Sequence, residues 1–123
     1  MPSKQPETKP DNALLTTDEA IEKYASAVKT EATGANYLEL GAAYYIAGRW
    51  EDALRALDKA VEIDPRQEFA YYYIGVLNAA LGNRERADAA LNKLLQVSNN
   101  QMLKDQARAR ILNITSLADL GKE

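Results

Sequence analysis

The sequence contains no cysteine and no histidine among its 123 residues. Their absence excludes disulfides, thiol nucleophiles and the usual zinc ligands. It also removes the side chain that most readily serves as a general base near neutral pH. Phenylalanine and tryptophan occur once each, whereas tyrosine occurs 7 times. Aromatic packing or binding must therefore depend almost entirely on tyrosine.

An excess of charge of one sign is also lacking. The chain has 15 lysines and arginines against 18 acidic residues, a net charge of −3, and both signs are scattered. No basic patch indicates nucleic acid binding, and no polybasic run indicates an anionic membrane surface. The longest apolar-rich window, residues 69–81, is too short to span a bilayer. We expect a soluble, cytoplasmic protein without membrane insertion, although a trimmed leader would leave the same pattern.

The residues needed for catalysis or ion binding are missing as well. Acidic pairs occur at Asp18-Glu19 and Glu51-Asp52, but both lie in first helical turns, where negative charge complements the helix dipole. The glycines stand singly and do not form a phosphate-binding run, and no acidic residues have the spacing of a calcium loop. We expect no enzymatic activity, no metal and no cofactor.

The region from residue 34 to residue 64 contains two amphipathic helical segments separated by Gly48. Residues at helical spacing form one stripe on each segment. The first stripe consists of Tyr37, Leu40, Gly41 and Tyr44, and the second of Ala53, Leu57 and Ala60. The small residues let two helix backbones approach closely while the large ones interlock. The pattern predicts a helical hairpin that ends at Asp64-Pro65.

The same pattern recurs 34 residues later. The corresponding residues are Tyr37 and Tyr71, Leu40 and Ile74, Gly41 and Gly75, Gly48 and Gly82, Ala53 and Ala87, and Leu57 and Leu91. This spacing and residue order resemble the tetratricopeptide repeat. The first copy also has the family's second tyrosine, second small residue and proline, at Tyr44, Ala60 and Pro65. The second copy departs from the family at these three places, with Asn78, Leu94 and Asn99.

The resemblance implies an all-α protein, a short right-handed α-solenoid of antiparallel hairpins with about six helices. It implies one domain over residues 13–123, with full repeats at 34–67 and 68–99. Residues 13–33 would form an N-terminal half-repeat or cap, and residues 100–121 a C-terminal capping helix. Residues 1–12 contain three prolines and almost no apolar side chain, so we predict a disordered tail there.

Local signals predict where individual helices begin. Thr16 and Glu19 have the spacing of a capping box, which predicts that the first helix starts there. Asp64, Pro65 and Gln67 suggest a similar start for the fourth helix, with Asp64 as its N-cap. The last helix is expected over about residues 101–120, and its apolar stripe comprises Leu103, Ala107, Ile111, Ile114 and Ala118.

In the tetratricopeptide family, certain positions of each first helix line a concave surface, whereas Tyr71 takes a core position. The resemblance places eight residues of this chain on that surface, with Tyr73 at its margin: Leu38, Ala42, Tyr45, Phe69, Tyr72, Tyr73, Val76 and Ala79. The family's clamp for a partner's C-terminal carboxylate needs lysine, asparagine and arginine there, so we expect no such clamp. Arg66, Arg108 and Arg110 are expected to be solvated.

An aromatic and aliphatic groove of this kind is typical of a protein-binding surface. The sequence therefore predicts an interaction module, an adaptor or assembly factor that holds an apolar peptide or helix of a protein partner. Two alternatives stay open. The groove could be filled by the chain's own terminal segments, or by a second copy in a homo-oligomer.

Overall fold

The computed structural model describes the backbone of residues 14–120 and the side chains of residues 14–113. It contains six α-helices and, within this range, no strand. The helices are α1 (Thr17–Thr30), α2 (Gly34–Ile46), α3 (Trp50–Ile63), α4 (Glu68–Ala80), α5 (Arg84–Val97) and α6 (Gln101–Leu120). The all-helical fold and the number of helices predicted from the sequence are confirmed.

Two hairpins, α2–α3 and α4–α5, reverse direction through the same kind of turn. Gly48 and Gly82 have φ values of 78° and 84°, in the left-handed region that favours glycine. In the first turn the backbone N–H of Arg49 donates to the carbonyl of Tyr44 at 2.9 Å. In the second turn Asn83 donates to Asn78 at 2.7 Å. The repeated glycine signal therefore predicts the two turns correctly.

A glycine faces a leucine at the centre of each hairpin. A Cβ added to Gly41 would lie 2.6 Å from Cγ of Leu57, and one added to Gly75 would lie 2.6 Å from Cδ2 of Leu91. Both leucines are fully buried, so they have no free space to move into. The two helices of each hairpin can pack this closely because these positions carry no side chain.

The six helices form two rows with different spacing. Helix α2 contacts α4, and α4 contacts α6. Within residues 14–120, the backbones of α1, α3 and α5 do not approach one another in this way. We call the side formed by α2, α4 and α6 the inner face, and the side formed by α1, α3 and α5 the outer face. Contact along one row and separation along the other give the stack its curvature.

The core consists of two clusters that follow one another along the stack. One cluster combines α3, α4 and α5, and comprises Ala53, Leu57, Ala60, Ala70, Ile74, Leu77 and Ala90. The other joins α4, α5 and α6 through Tyr71, Leu91, Leu94, Leu103 and Ala107. Burial of Tyr71 agrees with its predicted core position, and its hydroxyl donates to the carbonyl of Pro65 at 2.9 Å.

The predicted helix starts are correct at α1 and wrong at α4. At α1, Thr16 and Glu19 form the expected reciprocal capping box. At α4, the helix begins at Glu68, and Gln67 is its N-cap without a side-chain cap hydrogen bond. Asp64 instead ends α3, and its carboxylate accepts the backbone N–H of Arg66 at 3.1 Å. This side-chain hydrogen bond stabilises a turn at Asp64-Pro65-Arg66, which delays the helix by one turn.

Helix α6 is fixed against the end of the second hairpin. The side chain of Asn100 accepts the backbone N–H of Leu103 at 3.1 Å and so caps the helix. Buried Ser98 donates to the carboxylate of Glu68, which connects the end of α5 to the start of α4. Leu103 and Ala107 are buried as predicted, whereas the predicted contacts of Ile114 and Ala118 lie outside the described side chains.

Candidate functional site

Three tyrosines form a continuous row across the inner face. The rings of Tyr45 on α2 and Tyr73 on α4 have centroids 5.4 Å apart and are inclined by 51°. Tyr72 and Tyr73 are 6.3 Å apart and meet edge to face at 72°. Both arrangements lie in the range in which aromatic rings attract each other. The row therefore joins the two repeats on one surface.

Tyr73 is the central ring of this row, although the sequence places it at the margin of the groove. Burial raises the pKa of its phenol, and the neighbouring groups Tyr45, Glu39 and Tyr72 raise it further. A phenol is protonated at neutral pH even without this shift of its pKa, so the Tyr73 hydroxyl can donate a hydrogen bond. The surface presents a neutral, amphipathic ring here.

The eight residues predicted for the groove differ in exposure. Phe69 is 44% exposed and Ala79 is also exposed, while the other six are half-buried. Leu38, Tyr45 and Tyr73 pack partly against the core cluster beneath them. This packing holds the three side chains in place. One side of each contacts the core, and the other side can contact a ligand. Phe69 is the most exposed large apolar group of the set.

The inner face becomes polar where α4 meets α6. The guanidinium of Arg110 lies 5.8 Å from the ring centroid of Tyr72, and its Nε donates to the Tyr72 hydroxyl at 3.3 Å. A depression of about 280 Å³ surrounds this contact, lined by Tyr72, Gln106, Ala109, Arg110 and Asn113. The groove therefore has an aromatic and aliphatic part and an adjoining part with amide and guanidinium donors.

Sequence reasoning missed the contribution of Arg110, which it treated as a solvated charge. The residue meets Tyr72 across 38 positions of the chain, and no local pattern encodes such a contact. Arg108, by contrast, forms an ion pair with Asp105 one turn away at 3.3 Å and is exposed, as expected. A signal for Arg110 could have come from placing α6 beside α4 on the helical wheel.

The chemistry available on this face is that of binding. In the described part of the chain, no group of three or more acidic, histidine or cysteine side chains is placed to hold a metal ion. Over the same residues, no helix has the length and apolar character that crossing a membrane requires. Aromatic rings, aliphatic groups and hydrogen-bond donors form this surface of a helical-repeat scaffold, and these are groups that can contact another protein.

Comparison with known proteins agrees with this class. Residues 41–82 match the family described as TPR repeat, and residues 69–98 match the family described as Tetratricopeptide repeat. The chain belongs to the tetratricopeptide repeat family, a family of generally non-enzymatic scaffolds. It is a protein–protein interaction module of that family.

One curated relative is Superkiller protein 3 of Schizosaccharomyces pombe, which is 31% identical over 84 residues. That match covers 68% of this chain but 6% of the relative. The chain thus spans a small fraction of the relative's length.

Two solved structures share the fold at low sequence identity. PcrH in complex with the chaperone binding region of PopD superposes with a TM-score of 0.78 at 18% identity, over 83% of this chain and 80% of PcrH. MamA superposes with a TM-score of 0.64 at 19% identity, over 86% of this chain and 71% of MamA. These similarities establish the helical solenoid predicted from the sequence.

Proposed function

We propose that this module holds an apolar segment of a partner protein, an extended peptide or a helix, against the tyrosine row of the inner face. The module would thereby act as an adaptor or assembly factor in the cytoplasm. The observation that carries the proposal is the row of Tyr45, Tyr73 and Tyr72, anchored from below and continued by the exposed ring of Phe69. Rigid aromatic groups of this kind give large contact area at little cost in conformational entropy.

The fold of PcrH supports the proposal, because PcrH was crystallised with the chaperone binding region of PopD. A solenoid of similar shape and length therefore takes up a segment of another protein. The segment bound here would place apolar side chains on Tyr45, Phe69, Tyr72 and Val76. With two full repeats the groove is short, so we expect an affinity near micromolar, about −8 kcal/mol.

The domain organisation is part of the same proposal. Residues 34–67 and 68–99 would be the two full repeats, residues 13–33 a half-repeat or cap, and residues 100–121 a capping helix. The proposed tail at residues 1–12 lies outside the described residues. In this arrangement the inner face has two complete repeats and one further first helix, α6, which adds the donors around Arg110.

Substitution of the aromatic groups tests the proposal. We predict that Tyr72→Ala weakens binding of the partner by about 1–3 kcal/mol, the range of interface hot spots. Because Tyr72 also packs against the second core cluster, Phe69→Ala is the cleaner variant. The measurement is affinity capture with the wild type, identification of the bound protein, and calorimetric titration of that protein against each variant.

Ile63→Ala provides a matched control, since Ile63 is 41% exposed at the end of α3, away from the inner face. It should bind as the wild type does. Equal affinity of Phe69→Ala, Tyr72→Ala and Ile63→Ala would contradict the proposal. If Tyr72→Ala lowered the free energy of unfolding of the partner-free protein by as much as it weakens binding, the Tyr72 ring would belong to the core.

Self-assembly is the second candidate function, and exposed apolar groups on α6 favour it. Met102 is 72% exposed and Leu112 is 68% exposed, so α6 has apolar surface that a second copy could cover. Sedimentation over a range of protein concentrations distinguishes the two functions. If the protein is a monomer at all concentrations, self-assembly is excluded as its function. If the wild type forms a dimer and Leu112→Lys does not, self-assembly is supported.

A further inference from the structure

The outer face carries two clefts, one within the first repeat and one between α3 and the second repeat, and four of their lining positions are equivalent. We call them the first and the second outer cleft. The first is about 250 Å³ and is lined by Tyr37, Leu40, Tyr44, Asp52, Arg55, Ala56 and Lys59. The second is about 450 Å³ and is lined by Leu54, Arg55, Asp58, Ile74, Asn78, Arg86 and Ala89. The second cleft is the larger. The equivalent positions are Leu40 and Ile74, Tyr44 and Asn78, Asp52 and Arg86, and Arg55 and Ala89.

In the first outer cleft, the chain's own side chains contact one another. Tyr44 lines this cleft, and the guanidinium of Arg49 lies 4.9 Å from the centroid of its ring. Asp52 accepts a hydrogen bond from Nε of Arg49 at 2.8 Å and pairs with Arg55 as well. The aromatic ring, the cation and the carboxylate of this cleft are thus all paired internally.

In the second outer cleft, two asparagines replace the tyrosine and the arginine. Nδ2 of Asn83 donates to Oδ1 of Asn78 at 3.3 Å, and Nδ2 of Asn78 donates to the carbonyl of Ile74 at 2.9 Å. These short amides turn towards each other and towards the backbone. Position 78 thus carries no ring, and Ile74 and Asn78, 8% and 3% exposed, lie at the bottom of the cleft.

The walls and rim of the second outer cleft are amphipathic. Leu54 and Ala89 provide apolar surface on two sides. Partial burial raises the pKa of the Asp58 carboxyl, and the positive charge of Arg86 acts in the opposite direction. Arg55 is paired with Asp52. Because each rim arginine faces a carboxylate, the cleft has little net charge to offer an anion.

We infer that the second outer cleft receives a tyrosine side chain from a partner protein. The ring would take the place that Tyr44 takes in the first repeat, between apolar walls. Arg86 would face the ring as Arg49 faces Tyr44, an attraction between a cation and the electrons of an aromatic ring. The phenol hydroxyl would donate to the Asp58 carboxylate or to the Asn78 amide oxygen, both of which accept hydrogen bonds.

This site is separate from the proposed groove. Residues of a helix advance by about 100° each, so Ile74 lies about 200° from Tyr72 around α4. A partner on the inner face leaves the second outer cleft free, and the cleft does not depend on the proposed function of the groove. Engagement of both surfaces by one partner would raise its effective affinity.

The test uses the full chain and N-acetyl-tyrosinamide as the probe, followed by heteronuclear NMR. We expect saturable, millimolar binding that shifts the Asn78 side-chain amide and the methyl groups of Leu54 and Ile74. N-acetyl-phenylalaninamide should bind about fivefold more weakly, because one neutral hydrogen bond contributes about 1 kcal/mol. Equal binding of the two probes would overturn the assignment, as would shifts confined to the inner face or the absence of saturable shifts.

Two variants of the second outer cleft complete the test. Asn78→Tyr supplies the ring from within the chain and should abolish the shifts at Leu54 and Ile74. Ala89→Arg introduces the arginine that the first repeat has at the equivalent Arg55, and it should weaken binding of the probe several-fold. Because Ala89 is exposed, this variant disturbs no buried group and tests the inference even if Asn78→Tyr folds poorly. Conversely, Tyr44→Asn combined with Arg49→Asn should enable the first outer cleft to bind the probe. Wild-type affinity in both Asn78→Tyr and Ala89→Arg would contradict the inference.

Discussion

The two repeats have the same internal frame but different outer surfaces. Each has a glycine against a buried leucine, Gly41 with Leu57 and Gly75 with Leu91, and a left-handed glycine turn. On the outer face, the Tyr44–Arg49 pair of the first repeat becomes an Asn78–Asn83 pair in the second. Positions between the helices of a hairpin thus allow little change, since any added atom collides. Positions at the outer clefts vary and can acquire separate roles.

The largest effect is expected where the repeats are most alike. Gly41→Ala and Gly75→Ala should each lower the free energy of unfolding by about 1–2 kcal/mol, because the strain of overpacking exceeds the gain in helix propensity. The two losses should agree within about 0.5 kcal/mol, since the contacts are equivalent. Urea unfolding followed by circular dichroism measures both.

A double variant controls for the cause of that loss. Leu57→Ala alone should cost about 2–5 kcal/mol, and adding Gly41→Ala to it should cost little more, because the colliding leucine is gone. If the two changes were additive, the collision with Leu57 would not be the cause of the loss. If one repeat tolerated its alanine and the other did not, the two repeats would not share the same helix packing.

At the outer clefts we expect effects of opposite sign in the two repeats, comparable to those of the glycine variants in the first repeat and smaller in the second. Tyr44→Asn should destabilise the chain by about 1–2 kcal/mol, since it removes a half-buried ring and leaves Arg49 without its aromatic contact. Asn78→Tyr should stabilise it by about 0.5–1 kcal/mol by filling the larger cleft. Thermal and urea unfolding of both variants provide the measurement. Destabilisation by both changes would show that the Asn78–Asn83 pair matters more to folding than the open volume.

The smallest expected effect concerns Asp58, whose place in the second repeat is held by Asn92. The folded state raises the pKa of Asp58 above 3.8, so it binds the proton more tightly than the unfolded state does. This group's contribution to stability therefore decreases as pH rises from about 3.8 through the raised pKa. Asp58→Asn should gain stability relative to the wild type between pH 3 and pH 7, by less than about 0.5 kcal/mol at this exposed position.

Urea titrations of the wild type and Asp58→Asn at both pH values check the sign. Asn92→Ala is the control in the second repeat and should shift stability equally at pH 3 and pH 7. A larger advantage of Asp58→Asn at pH 3 than at pH 7 would reverse the sign and show that Arg86 outweighs burial at this carboxyl.

The features that the sequence predicts correctly are encoded within one helix or one hairpin. The turns at Gly48 and Gly82 and the capping box at Thr16 act through neighbours a few positions away, and Gly41 and Gly75 act through a leucine of the same hairpin. A periodic pattern can therefore display them without knowledge of the rest of the fold. The same reasoning failed at Asp64, where two local structures, a helix cap and a turn, were both compatible with the residues present.

Features formed by contacts between repeats could not be read in this way. The centroid distance between Tyr45 and Tyr73 and the contact between Arg110 and Tyr72 depend on how one hairpin is rotated against the next. Asn78 was recognised as a departure from the family, but its consequence, an enlarged cleft bounded by α3 and α5, required the positions of three helices. The eight groove residues remain a prediction about binding.

The paired glycine and leucine have a consequence for how this protein can change in length. Since each hairpin contributes the same self-contained joint and the same turn, a duplicated copy of residues 34–67 would find a compatible neighbour on either side. Recombination in steps of one hairpin can lengthen or shorten the molecule without a new solution to helix packing. Extra modules would enlarge the surface available to partners in equal increments.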